Sequence, residues 1–372
     1  MKTFSDLGIS ETFVKALKEN NIITPTEIQV KAIPFLLEQG TDFIGQAQTG
    51  TGKTAAFGLP LLHSIDAESD KVQALILSPT RELGQQIAKQ LFLFTKYVPK
   101  KIFVECVYGG ARIEDQMKAL KRPTHIVVAT PGRLIDLLER KALTLSYIKT
   151  IVLDEADEML SMGFKKELDV LLQQTNGSRH TWLFSATMPH EIKAIIKAYM
   201  SPNAFRIEVD KKNVVNKNID HQYVVCDIEE KLTILLHFLK TQGANRGIIF
   251  CRTKASAQTL AEQLTEKKIP VAAIHGDLMQ KERDKVMRAF KNKKLKILIA
   301  TDLAARGIDV DNLSYVVHYQ MPDQLDYYTH RSGRTARAGN KGLSLSLVNN
   351  AELNDLKLLE RNLCISIKNV PR

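Results

Sequence analysis

Strand-length apolar runs separated by helix-compatible stretches recur along this chain, and their rhythm leaves few folds open. In the first half the runs fall at residues 72–78, 102–107, 125–129, 148–153 and 181–185. The pattern restarts after residue 220, at 222–226, 247–251, 271–274, 296–300, 315–318 and 343–348. Runs that are apolar throughout suit strands buried on both faces, and their alternation with helices predicts a parallel sheet covered by helices. A single hydrophobic core seldom serves 372 residues, so the restart predicts a second α/β domain. The polar, aperiodic stretch that begins Asp210-Lys211-Lys212-Asn213 reads as a linker at 209–218, between domains at 1–208 and 219–372.

Composition narrows the class. With 44% hydrophobic and 25% charged residues the chain is packed and globular rather than disordered. The first residues, Met1-Lys2-Thr3-Phe4-Ser5-Asp6, carry no apolar leader core, and no window approaches the uninterrupted apolar length of a membrane span. A soluble, cytoplasmic protein with no membrane partner and a monomeric core is expected. Cys106, Cys226, Cys251 and Cys364 are too scattered for a zinc or disulfide framework, so buried, reduced thiols are expected. The net charge of +11 is unevenly placed: residues 1–210 hold 25 Lys+Arg against 24 Asp+Glu, residues 211–372 hold 27 against 17. The basic second half either favours a polyanion such as nucleic acid or is a solvated lysine-rich face.

Two segments carry chemistry. Ala47-Gln48-Thr49-Gly50-Thr51-Gly52-Lys53-Thr54 follows a strand-like run and leads into an apolar, helix-compatible stretch. In a phosphate loop, backbone N–H groups and a helix N-terminus converge on phosphate oxygens, a lysine adds a point charge, and a hydroxyl binds magnesium. Lys53 and Thr54 fit the last two roles, although Ala47 stands where the strict pattern has glycine. Asp154-Glu155-Ala156-Asp157 follows the run 148–153, so two carboxylates stand at a strand's end. Phosphoryl transfer needs one group to hold hydrated magnesium and another to orient the attacking water. Asp154 is assigned to the metal and Glu155 to the water; alone, the pair would equally suit an acidic helix start.

With these segments in place, the chain resembles the DEAD-box RNA helicases over nearly its full length. The match rests on Phe4 with Pro25-Thr26-Glu27-Ile28-Gln29, the phosphate loop, Pro79-Thr80-Arg81-Glu82-Leu83, Gly109-Gly110, Thr130-Pro131-Gly132-Arg133, Asp154 to Asp157, and Ser185-Ala186-Thr187. It continues with Gln280 and Arg283, Ala300-Thr301-Asp302, Arg306-Gly307-Ile308-Asp309, and His330-Arg331-Ser332-Gly333-Arg334-Thr335-Ala336-Arg337. Asn21 and Ala336 stand where the family usually has glycine.

The resemblance implies two tandem RecA-like domains with ATP and Mg2+ bound in the cleft between them. It implies that Gln29 reads the adenine edge while Phe4 packs on the ring, that Gln48, Thr49, Gly50, Thr51, Gly52, Lys53 and Thr54 hold the phosphates, and that Asp309 accepts from the ribose. Arg334 and Arg337 are expected at the γ-phosphate, where a permanently charged fork matches phosphate oxygens. His330 is expected to link with Asp157, Ser185 and Thr187 and couple the two domains. Single-stranded RNA is implied along Thr80, Arg81, Gly110, Thr130 and Arg133 in the first domain and Arg252, Arg283, Thr301 and Asp302 in the second. Backbone contacts of this kind carry little sequence preference. The expected activity is RNA-stimulated ATP hydrolysis coupled to domain closure and local unwinding of short duplexes; the alternative is an ATP-gated RNA clamp that unwinds little.

Overall fold

Seven strands in the first half pair in parallel: β1 (Phe43–Gln46), β2 (Ala74–Leu77), β3 (Val104–Val107), β4 (Ile126–Ala129), β5 (Thr150–Leu153), β6 (His180–Ser185) and β7 (Phe205–Glu208). They lie in the order β3-β4-β2-β5-β6-β1-β7. The structure is a computed structural model that describes residues 2–38, 41–48, 50–175, 179–209, 217–305, 313–323, 325–336 and 340–371, with only the backbone for Leu325 and Asp326.

The runs are apolar throughout because both faces of the sheet are covered. Ile76, Val128, Val152 and Phe184 point into one core, and their chain neighbours Leu75, Val127, Leu153 and Leu183 point into the other. Each fully buried aliphatic side chain of this kind contributes roughly 1.5–3 kcal/mol. Register is thereby fixed on both faces: Leu75 lies opposite Val127 on one side and Ile151 on the other.

The second half repeats the arrangement with β8 (Ile219–Val225), β9 (Gly247–Phe250), β10 (Val271–Ile274), β11 (Ile297–Ala300), β12 (Tyr315–His318), β13 (Gly342–Val348) and β14 (Ile367–Asn369). Their order, β10-β11-β9-β12-β13-β8-β14, is the first sheet's order with every strand moved on by seven. Ile249, Ile299 and Val317 face one core, Ile248, Leu298 and Val316 the other. The chain divides into two compact units, Met1–Val209 and Asp210–Arg372. Residues 210–216, most of the expected linker, lie outside the described residues.

The apolar runs of the sequence are all strands. The edge strands β7 and β14 are not apolar runs: Phe205 and Arg206 are exposed in β7, as are Lys368 and Asn369 in β14. The cysteines depart in part from expectation. All four are free, Cys226 and Cys251 are buried, Cys106 is half-buried, and Cys364 is exposed at the end of the helix Leu353–Leu363. No described helix is long and apolar enough to cross a membrane.

Candidate functional site

Parallel strands place all their carboxyl ends on one edge of a sheet, the edge where open α/β folds bind ligands. In the first unit the segment after β1 is the glycine-rich loop, and those after β5 and β6 hold Asp154 to Asp157 and Ser185 to Thr187.

The glycine-rich loop feeds the helix Lys53–Ser64. Gly50 and Gly52 both have left-handed backbones, with φ of 81° and 89°. Gly52 is constrained twice, because a Cβ there would stand 2.4 Å from Gln29 Nε2. That closeness follows from a tether: Gln29 donates from Nε2 to the Gly52 carbonyl (3.0 Å), and its Oε1 accepts from the Thr26 N–H (2.9 Å). Thr26 Oγ1 donates to the Thr51 carbonyl (2.7 Å), and Thr51 Oγ1 to the Gln48 carbonyl (2.7 Å). Gln29 is therefore buried against the loop rather than displayed, and Phe4 is buried in the apolar core with Leu7, Ile28 and Ile33. Thr54 is half-buried on the first turn, and Thr49 lies outside the described residues.

Lys53 is 6% exposed, and its ammonium donates to the Ala47 carbonyl at 3.0 Å. Asp154, 2% exposed, has its carboxyl pushed up to about 7 by burial, with Lys53 opposing the shift and Glu155 and Asp157 adding to it. Such a carboxylate lacks counter-charge, which suits a site that receives a cation. Among the described residues no group of three or more His, Cys, Asp or Glu could enclose a metal by protein ligands alone. One carboxylate plus one hydroxyl instead fits magnesium, which keeps most of its waters and leans on substrate phosphates.

Glu155 is held in the left-handed region, φ 50°, at the turn from β5 into the helix Ala156–Ser161. Its N–H donates to Asp154 Oδ1 (3.0 Å). Such a backbone is uncommon for a residue other than glycine, asparagine or aspartate and marks a strained strand-end turn. Asp157 binds the neighbouring strand end. Its Oδ2 accepts from both the N–H and the Oγ1 of Thr187 (2.8 Å each), its own N–H donates to Ser185 Oγ (3.2 Å), and Ser185 Oγ donates to the Thr187 carbonyl (2.7 Å). The structure thus brings Gln29, the loop, Lys53, Asp154, Glu155, Asp157, Ser185 and Thr187 onto one edge.

The segments after β2 and β3 are joined by a residue that sequence reasoning missed. Tyr108 follows β3; the Arg81 guanidinium lies 4.7 Å from its ring centroid, and its hydroxyl accepts from Gln85 Nε2 (2.9 Å). Thr80 caps the helix Arg81–Phe94 by accepting the Leu83 N–H (3.3 Å). Arg133, from the helix Pro131–Glu139 that Thr130 precedes, donates to the Ala111 carbonyl (3.1 Å), next to Gly110 with its φ of 84°. Tyr108, two residues before Gly110, lies just past the apolar run 102–107, and nothing in the local pattern marked it.

In the second unit Arg252, Arg283, Thr301 and Asp302 again follow strand ends, but they are engaged with the protein. Arg252 pairs with Asp323 (2.9 Å) and donates to the Met321 carbonyl (3.1 Å). Arg283 donates to the Ala304 carbonyl (2.7 Å). Asp302 receives both arms of Arg331, Nε to Oδ1 at 2.5 Å and Nη2 to Oδ2 at 2.6 Å. Arg331, quoted in the sequence pattern but given no role, is the largest fully buried side chain described. His330 is half-buried on the same helix, Leu325–Ser332, and Arg334 is buried just beyond it. Asp309 and Arg337 lie outside the described residues.

Comparison with known proteins agrees with this geometry. Residues 26–195 match the family model for DEAD/DEAH box helicases, and residues 230–339 match the helicase conserved C-terminal domain. The chain is 45% identical to the ATP-dependent RNA helicase CshA of Limosilactobacillus reuteri, covering 96% of this chain and 71% of the relative. The chain belongs to the DEAD-box helicase family. The CshA of Listeria monocytogenes is 43% identical over 97% of this chain and 68% of its own. Among solved structures, Saccharomyces cerevisiae Dbp5 bound to RNA and ADP BeF3 superposes with a TM-score of 0.92 at 32% identity, covering 100% of this chain and 96% of that one. Both units are accordingly RecA-like.

Proposed function

We propose that this DEAD-box chain is an ATP-dependent RNA helicase whose ATP hydrolysis is stimulated by RNA. One observation carries the reading: a buried lysine at a helix N-terminus and a buried aspartate lie on one strand edge, and Gln29 ties the glycine-rich loop to Thr26. ATP phosphates are assigned to the loop N–H groups and Lys53, and the adenine edge to Gln29, whose amide also holds the loop at the Gly52 carbonyl. Mg2+, held by Asp154 and the Thr54 hydroxyl, would neutralise charge on the transferring phosphoryl group. Glu155 is assigned to orient and deprotonate the attacking water, and its strained turn fixes it beside Asp154. Arg334 and Arg337 are assigned to the charge that develops at the γ-phosphate, and Asp309 to the ribose.

RNA backbone is assigned to Tyr108, Arg81, Thr80, Thr130, Gly110 and Arg133, and the excess positive charge of the second unit adds electrostatic attraction. The comparison with Dbp5 bound to RNA and a nucleotide analogue supports the pairing of these two ligands. The test is ATP turnover with no nucleic acid, with single-stranded RNA and with single-stranded DNA, together with strand displacement on a short RNA duplex. Stimulation by RNA and release of a strand are expected. Slow turnover with stable RNA retention and no displaced strand would instead make the chain an ATP-gated clamp.

A further inference from the structure

Three residues matched to RNA contact in the second unit converge on one buried side chain that has no assigned role. Arg331 is 1% exposed and spends its guanidinium in three directions. Two nitrogens grip Asp302 as a fork, and Nη1 donates to the Gln320 carbonyl (2.7 Å). Its guanidinium carbon lies 5.1 Å from the Phe250 ring centroid. The same Gln320 accepts the Arg252 N–H on its side chain (2.8 Å), so Arg252 reaches Arg331 through one residue. Asp302 opens the short helix Asp302–Ala305, and Arg283 holds that helix at the Ala304 carbonyl. Arg331 lies at the end of the helix Leu325–Ser332, and its carbonyl accepts the N–H of Arg334 (3.1 Å).

We infer that the Arg331–Asp302 fork is the internal linkage by which the second unit passes RNA engagement to Arg334, with Asp302 a positioning residue rather than an RNA contact. This inference rests on the RNA-stimulated ATPase reading. A displacement of the short helix by RNA at Arg283 or Thr301 moves the half-buried Asp302, and the bidentate ion pair transmits that displacement, because Arg331, 1% exposed, cannot let go without leaving a buried charge unpaired. Lysine cannot replace the fork, since a single ammonium cannot satisfy both Asp302 oxygens and the Gln320 carbonyl in the same geometry.

A buried ion pair also stabilises the local fold, so the test must separate stability from linkage. Removing one partner alone strands a buried charge, whereas replacing both by neutral groups of similar shape is often neutral for stability. The double variant Asp302→Asn, Arg331→Met should therefore melt close to wild type. It should lose at least tenfold in kcat at saturating RNA, while its RNA affinity, read by fluorescence anisotropy, changes less than threefold. Arg331→Lys, which keeps the charge and removes the fork, should show the same split and serves as the measurement if the double variant does not fold. Recovery of RNA-stimulated turnover together with stability in the double variant would reduce the pair to a structural role and overturn the inference, as would wild-type kcat in Arg331→Lys. A large drop in RNA affinity with unchanged kcat would return Asp302 to direct RNA contact. Wild-type protein without any RNA stimulation would instead remove the functional reading beneath the inference.

Discussion

At the scale of single residues, the site combines groups whose roles part on mutation. Glu155→Gln keeps size and hydrogen bonding but removes the base, so ATP and RNA binding should persist while turnover falls by about 100-fold or more. Wild-type-like turnover in that variant would end its assignment to the water. Lys53→Ala should act earlier, weakening ATP binding in equilibrium titration, because Lys53 is the only buried cation described at the loop. Gly52→Ala meets two obstacles, a left-handed backbone and the Gln29 amide 2.4 Å from its Cβ. It should raise the KM for ATP about tenfold by forcing apart the Gln29 tether, and Gly50→Ala, with no atom within 4 Å of its Cβ, should cost less. Lys53 and Asp154 were legible in the sequence because their chemistry demands a fixed local spacing. Arg331 and Tyr108 were not, because their partners, Asp302 and Arg81, are 29 and 27 residues away and only the fold joins them.

Elements show the same division. Central strands announce themselves as apolar runs since helices cover both faces, as do the edge strands β3 and β10; β7 and β14 do not, since Phe205, Arg206, Lys368 and Asn369 on them are exposed. Packing inside the second unit creates a cluster that composition could not reveal. His318 on β12 stacks on Tyr328 with ring centroids 4.5 Å apart, and Tyr328 shares its hydroxyl with His221 on β8 (2.8 Å). His318 also contacts Ser344 on β13 (3.1 Å). Burial depresses His221 to about 4 and holds His318 well below the usual histidine range. A base with its folded pKa below the unfolded value of about 6.5 contributes stability that is present above pH 6.5 and lost as pH falls toward 4. For His221 this amounts to roughly 3 kcal/mol. Urea unfolding followed by circular dichroism at pH 7.5 and 5 should show the second unit weakening in acid, and His221→Gln should flatten that dependence.

Across the whole molecule the first unit runs the other way. Its buried Asp154, with a folded pKa near 7 above the unfolded carboxylate range, favours the ligand-free fold at low pH and surrenders that contribution as pH rises through 7. The single tryptophan of the chain, Trp182, is buried in the first unit and reports on it alone. Tryptophan fluorescence should therefore find the ligand-free first unit losing stability as pH rises toward 7, a slope that Asp154→Asn flattens.

Identical strand order in the two sheets does not give them identical strand-end turns. Where β1 hands over to a glycine-rich turn, its counterpart β8 hands over to Cys226 and the exposed Asp227, whose N–H donates to Glu230 Oε2 (3.0 Å) at the short helix Ile228–Glu230. One frame thus carries two different turns: a glycine-rich loop in the first unit, and in the second a capped helix start without glycine. A nucleotide should therefore raise the resistance to urea of the first unit, read through Trp182, and leave that of the second unchanged.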